Sequence, residues 1–116
     1  MKFKLIMAMV DNHQTETVLA TARAEGATGA TVITSARGEG LKPAKTFLGL
    51  ELAGQRDVVL LLVEEHLGRV ILERVAEACE FDETPGTGIA LQIDIEDAVG
   101  LASQIGTICC EIEDQL

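Results

Sequence analysis

At 116 residues the chain fits one domain of common size, long enough to build a single hydrophobic core without staples. Apolar residues make up 47%, yet there are three Phe and no Trp or Tyr, so the core is aliphatic and base stacking on aromatics is not expected. A formal net charge of -10 repels nucleic-acid backbones and anionic lipid, because both interactions depend on Lys and Arg neutralising phosphate; no nucleic-acid partner is expected.

No apolar run approaches the ~20 residues of a membrane span, so no direct membrane insertion is expected. The Met1 end carries no signal-peptide pattern, since Asp11 interrupts its apolar stretch, and the expected location is cytoplasmic. Cys79, Cys109 and Cys110 are odd in number and lack metal-ligand spacing, which suits reduced thiols. Cys79 ends a helical pattern and reads as core; adjacent residues such as Cys109 and Cys110 seldom satisfy disulfide geometry.

Lys2 to Val10 is apolar on both alternations and reads as a strand covered on both faces. Asp11 and Gln14 resemble a capping box, and Thr15, Val18, Leu19 and Ala22 recur at helical spacing until Gly26 stops them. Thr28 to Thr34 is β-branched enough for a second strand. Ser35 to Lys45 then holds two glycines, a proline and three of the nine basic residues, an exposed loop. Arg37, Lys42 and Lys45 there either keep the loop solvated or contact an anion or partner.

Thr46 to Leu52 alternates leucines with small or polar residues, a short strand or hairpin arm. The unbroken run Val58 to Val63 is a central strand, and from Leu67 the residues Val70, Ile71, Val75 and Ala78 line one face of a second helix. Thr84-Pro85-Gly86-Thr87-Gly88 turns the chain into a last strand, where Ile89, Leu91, Ile93 and Ile95 alternate with Ala90, Gln92 and Asp94. Pro85 fixes one backbone angle, and the glycines let an anion approach backbone N–H groups, so this turn is a candidate ligand-holding loop on a rigid strand. The tail alternates Ile108, Cys110 and Ile112 and ends in acid.

The order βαββαβ gives an α+β, ferredoxin-like sandwich: a four-stranded antiparallel sheet with two helices on one face. Two helices cover one face only, while two strands are apolar on both, so the other face is expected to be buried by further subunits.

In their order and spacing, the segments GATGATVITSARGEG, VVLLLVEEHLGRVILERV and PGTGIALQIDIEDAV resemble the P-II signal-transduction family. The resemblance implies a homotrimer with adenine-nucleotide clefts between subunits and a long loop that docks on transporters, enzymes or regulators. Carried over by position, it implies a domain over residues 1–101, its long effector loop over 35–47, and a separate tail over 102–116. Gly86, Thr87 and Gly88 then match the phosphate-holding turn, with Ile89 following it. Thr31 and Val63 match the base and ribose pocket, Arg37 and Gly38 the base of the long loop, and Glu39, Gly40, Lys42 and Lys45 its partner-binding part.

The chain also departs from that pattern. Ile89 stands where the family typically has Lys, and Gly100 and Ala102 where it has two arginines. Charge-assisted bonds to phosphate are among the stronger polar contacts, so losing three cations points to a less charged effector than ATP, such as AMP, ADP, cyclic AMP or an adenosine derivative, unless Arg37, Lys42 or Lys45 replaces them. Without Tyr, tyrosine uridylylation is excluded. The resemblance therefore implies a divergent regulatory member, not an enzyme, with no obligatory cofactor and a membrane transporter or other regulated protein as partner.

Two other readings remain open. An enzyme would need to use His13 or His66, which have no nucleophile placed beside them, and the consecutive Glu64, Glu65 and His66 do not converge easily on a metal. A structural or metal-tolerance trimer of the CutA type shares the expected fold.

Overall fold

The computed structural model describes residues 2–36, 46–47, 50–51, 55–84 and 87–100. Strand β1 (Phe3–Asp11) leads through a 3-10 turn (Asn12–Gln14) into helix α1 (Thr15–Ala24), followed by β2 (Thr31–Ala36). A small hairpin, β3 (Thr46–Phe47) and β4 (Leu50–Glu51), precedes β5 (Arg56–Glu64), α2 (Glu65–Ala78) and β6 (Gly88–Asp94).

Four strands form one antiparallel sheet in the order β2-β5-β1-β6. This is the ferredoxin-like arrangement, with the two most apolar strands in the middle. The second strand starts at Thr31 rather than Thr28, because Ala27 is still engaged in ending α1.

That ending is a Schellman motif. Gly26 has φ 107, its N–H reaches the Arg23 carbonyl at 3.1 Å, and the Ala27 N–H reaches that of Ala22 at 2.9 Å. The other end of α1 differs from the sequence expectation. Asp11 makes no side-chain cap; its carboxylate is ion-paired with Arg56, so no capping box forms with Gln14.

Register decides which residues face the helices. Ile6 lies opposite Leu61, Ala8 opposite Val59 and Ala90, and Val10 opposite Asp57 and Gly88. On this side Ile6, Ala8, Val10, Val59, Leu61 and Val63 meet Val18 and Ala22 of α1 and Ile71, Val75 and Cys79 at α2, all buried. Cys79 is thus core, as its place in the sequence suggests.

The opposite face carries Leu5, Met7 and Met9, flanked by Leu62, Leu60 and Val58 on one side and by Ile93, Leu91 and Ile89 on the other. Thr31 and Ile33 extend it along β2. Among the described residues no helix covers this face, and Ile33, Leu62 and Ile93 are 48%, 36% and 41% exposed. A contiguous apolar sheet face of this kind marks an association surface. Among the described residues, no helix is long and apolar enough to cross a membrane.

Candidate functional site

The Gly-rich turn is built from the end of α2. Glu80 takes a left-handed φ of 55 and closes a second Schellman motif, with N–H bonds from Glu80 to the Glu77 carbonyl (3.2 Å) and from Phe81 to that of Ala76 (3.0 Å). Phe81 is thereby laid back across the start of β6. The Thr87 hydroxyl is directed at the carbonyls of Thr84 (2.9 Å) and Glu80 (3.2 Å), which fastens the turn to the helix end.

Gly88 is there for a reason the sequence did not disclose. A Cβ at this position would lie 2.6 Å from Phe81 Cε1, 2.9 Å from the Met9 carbonyl oxygen and 2.9 Å from Val10 Cγ1. Its small size is required by packing against β1 and Phe81, independently of any ligand. Gly86 lies outside the described residues, as do Arg37, Gly38, Glu39, Gly40, Lys42 and Lys45 and the whole of the tail after Gly100.

Thr31 and Val63 do not share a surface. Thr31 is opposite Leu60 on the open face, whereas Val63 is opposite Lys4 and 4% exposed in the core. Residues of one face alternate along a strand, so the side chains of β5 that share the face of Thr31 are Leu60, directly opposite, and Leu62 beyond it, not Val63. Ile89, opposite Met9, belongs to that same face.

The end of the sheet next to the turn contains polar groups that sequence reasoning passed over. Arg56, only 6% exposed, lies opposite both Asp11 and Ala36 and is ion-paired with Asp11. Asp57, 7% exposed, accepts a 2.6 Å hydrogen bond from the Thr15 hydroxyl at the first turn of α1, where the helix dipole also favours a carboxylate. An Arg-Asp pair before an apolar run resembles a solvated strand end. Only its partners, Asp11 and Thr15, far back in the chain, show that it is buried.

Beside it, β2 leaves the sheet under strain. Ser35 has φ 60 at a register shift between Ile33 and Ala36, and its hydroxyl is 3.4 Å from Gln55 Oε1. The two ends of the segment between β2 and β5 are therefore drawn together.

At the opposite end, Glu64 caps α2 by accepting the His66 N–H at 2.7 Å, and its other oxygen contacts His66 Nδ1. The side chains of Glu64, Glu65 and His66 converge to within 4.8 Å, contrary to the sequence expectation, because the extended cap folds back onto the first helical turn. The Glu64 carboxylate is already engaged as the cap. Nearby, Lys4 pairs with Asp94 and holds that carboxyl below the usual carboxylate range.

Two concavities flank this framework. A groove of about 600 Å³ runs between α2 and β6, past Phe81 and Gly88. A recess of about 200 Å³ lies between α1 and residues 27–30, with Leu61 at its base.

The sandwich thus pairs an apolar sheet face, uncovered among the described residues, with a turn fastened to its second helix. The chain belongs to the P-II family: the family model for nitrogen regulatory protein P-II matches residues 3–104. No curated protein matches it.

Among solved structures, a PII-like signaling protein from Thermus thermophilus is 23% identical, with a TM-score of 0.61 over 81% of this chain and 87% of that one. CPII from Thiomonas intermedia, bound to ADP, AMP and acetate, is 18% identical, with a TM-score of 0.64 over 84% and 89%. Its apo form, described as a nitrogen regulatory PII-like protein, is 17% identical, with a TM-score of 0.64 over 82% and 90%. At these identities the likeness is one of fold, and the chain is a divergent member of its family.

Proposed function

We propose that this protein is a ligand-sensing regulator. It binds an adenine nucleotide or adenosine derivative in clefts between the subunits of a homotrimer and controls a partner, a cytoplasmic face of a membrane transporter, through residues 35–47. The observation that carries this reading is the open sheet face. Ten apolar positions across four strands require cover, and closing three such faces on one axis would bring the exposed Thr31 of each subunit to a border with the next.

Family membership supports the regulatory role, and the CPII structures described as holding ADP and AMP support the ligand class. The proposed contacts are Thr31 with Leu62, rather than Val63, for the base and ribose, and Gly86, Thr87, Gly88 and Ile89 for the phosphate end, with Arg37 and Gly38 at the loop base. Glu39, Gly40, Lys42 and Lys45 are proposed to meet the partner. AMP, ADP and cyclic AMP fit better than ATP, since Ile89 and Gly100 bring no cation. A ligand can shift the loop only by its difference in affinity for two loop states. A role without enzymatic activity, in the cytoplasm, follows from the same reading; the CutA-type scaffold is less favoured, because the family match is to regulators.

Isothermal titration with AMP, ADP, cyclic AMP and ATP tests the proposal, together with light scattering for the assembly. We expect heat and a thermal shift with at least one nucleotide, reduced about tenfold in Thr31→Ala through the loss of one or more polar contacts. Leu62→Asp should yield monomers that no longer bind. A monomeric parent protein, or silence with all four nucleotides, would remove the sensing function and leave the fold.

A further inference from the structure

We propose that Thr34, Ser35 and Ala36, at the end of β2, form a two-register switch through which the nucleotide site acts on the segment between β2 and β5. The purpose of the switch rests on the function proposed above; its existence does not. Thr31, Val32 and Ile33 lie opposite Leu60, Val59 and Val58, a register that would bring Ser35 opposite Arg56, yet Ala36 stands there, one residue late. The surplus residue is a bulge. Ser35 absorbs it with φ 60, in the left-handed region that a serine rarely adopts.

The strand against which this happens is fixed. The register between β1 and β5 holds from Phe3–Glu64 to Asp11–Arg56 without a break, and Arg56 is ion-paired with Asp11 at its end. β2 is held as far as Ile33, since Val32 packs against the core. Beyond it, Thr34, Ser35 and Ala36 are not core residues. The contact between the Ser35 hydroxyl and Gln55 Oε1, at 3.4 Å, is at the long limit for a hydrogen bond, so little opposes straightening.

In the straight register Ser35 takes an extended φ and pairs with Arg56, Ala36 pairs with Gln55, and Thr34 comes opposite Asp57. That carboxylate is buried on the helix side, where it holds the Thr15 hydroxyl, and Thr34 would bring it a second donor. Left-handed strain at Ser35 is relieved at the same time. Because side chains alternate along a strand, the slip also turns Ala36 from the open face to the helix face, and the chain leaves β2 with its sides exchanged. Thr31, upstream on the same strand, is the proposed nucleotide contact. A ligand there biases the segment beyond β2 by preferring one of two discrete registers, which is the form that coupling between sites requires.

The test is solution NMR of the isotope-labelled full chain, because backbone contacts between strands report register directly. We expect contacts from Ala36 to Arg56 in the major state, with exchange on the μs–ms scale at the amides of residues 34–36 and 55–57. Ser35→Gly removes the side chain that disfavours a positive φ and should lower the minor population about threefold. Ser35→Val, β-branched and a poor fit to that φ, should raise the straight register about tenfold, with contacts from Ala36 to Gln55 and from Thr34 to Asp57. A Ser35→Val protein that keeps Ala36 on Arg56, or that loses both sets of contacts because the strand end melts, would overturn the proposal. Equal exchange in the parent and in Ser35→Gly would do the same. Saturation with AMP or ADP should change the ratio of registers about threefold, and the two variants should shift nucleotide affinity in opposite directions. Nucleotide binding that leaves the ratio and both affinities unchanged would also overturn the switch. Silence with every nucleotide would remove the sensing function, while the register contacts, read without ligand, would still decide whether β2 has two states; the two proposals therefore fail separately.

Discussion

Phe81 fills the space that a side chain at residue 88 would need. The ring edge, the Met9 carbonyl oxygen and Val10 together leave no volume for a Cβ on Gly88. Packing thereby locks the helix end and the strand start at one separation.

Gly88→Ala should therefore destabilise the fold by about 1–3 kcal/mol, as overpacking usually does, read as a lower urea midpoint with an unchanged slope. Adding Phe81→Leu should recover only part of the loss. A leucine can retreat from the new methyl group, but the Met9 carbonyl oxygen is fixed in β1. Full recovery would place the whole constraint in the ring.

The Thr15 to Asp57 contact ties the first turn of α1 to the central strand. Thr15→Val keeps the shape and removes the donor, leaving a buried carboxylate with one hydrogen bond fewer. The expected cost is about 1–3 kcal/mol by chemical denaturation, more than a surface Thr→Val change would give. Asp57→Asn keeps the bond with a neutral acceptor and should cost less than Thr15→Val. The reverse order would show that the charge, rather than the bond, holds the helix end.

The sandwich was legible because its cues are local. The Val58 to Val63 run could only be a central strand, Gly26 could only end a helix, and two helices cannot cover both faces of a sheet. The site was less legible, and the same run shows why. Apolar on both faces, VVLLLV carries no alternation, so nothing in it says whether Leu62 or Val63 shares a side with Thr31; register with β1 and β2 settles it. Arg56 and Asp57 were missed for a related reason. Their burial depends on Asp11 and Thr15, and a charge pair at a strand end reads as solvated until its distant partners are placed.

Glu80 closes α2 in a left-handed conformation that costs an L side chain about 1–2 kcal/mol relative to glycine, offset partly by glycine's greater freedom when unfolded. Glu80→Gly is expected to stabilise the protein by about 0.5–1 kcal/mol. The backbone bonds that use this residue, from its own N–H to Glu77 and from Thr84 to its carbonyl at 3.0 Å, remain available. Glu80→Ala removes the same charge while keeping the side-chain penalty, so it should give little of that gain. Equal gains in the two variants, measured by urea titration, would trace the effect to charge in an acidic chain.

Cys79 lies at the C-terminal cap of α2 with no exposed surface, and burial pushes its thiol above the ordinary range. In the unfolded chain a thiol loses its proton near ~8.5, while the folded protein holds it to higher pH. Below that range both states are protonated and the thiol contributes no pH dependence. As pH rises through it, the unfolded state releases the proton first, so the folded state binds more protons and stability falls with pH. Cys79→Ala should flatten this decline between about pH 8 and 10, with Cys109 and Cys110 present in both proteins and cancelling in the comparison. Alkylation should agree: iodoacetamide at about pH 8 is expected to leave Cys79 unmodified in the folded protein and to label it in urea. Labelling of Cys79 under native conditions at a rate near that of a free thiol would mean that the end of α2 opens readily, and that the packing of Phe81 on Gly88 does not hold it shut.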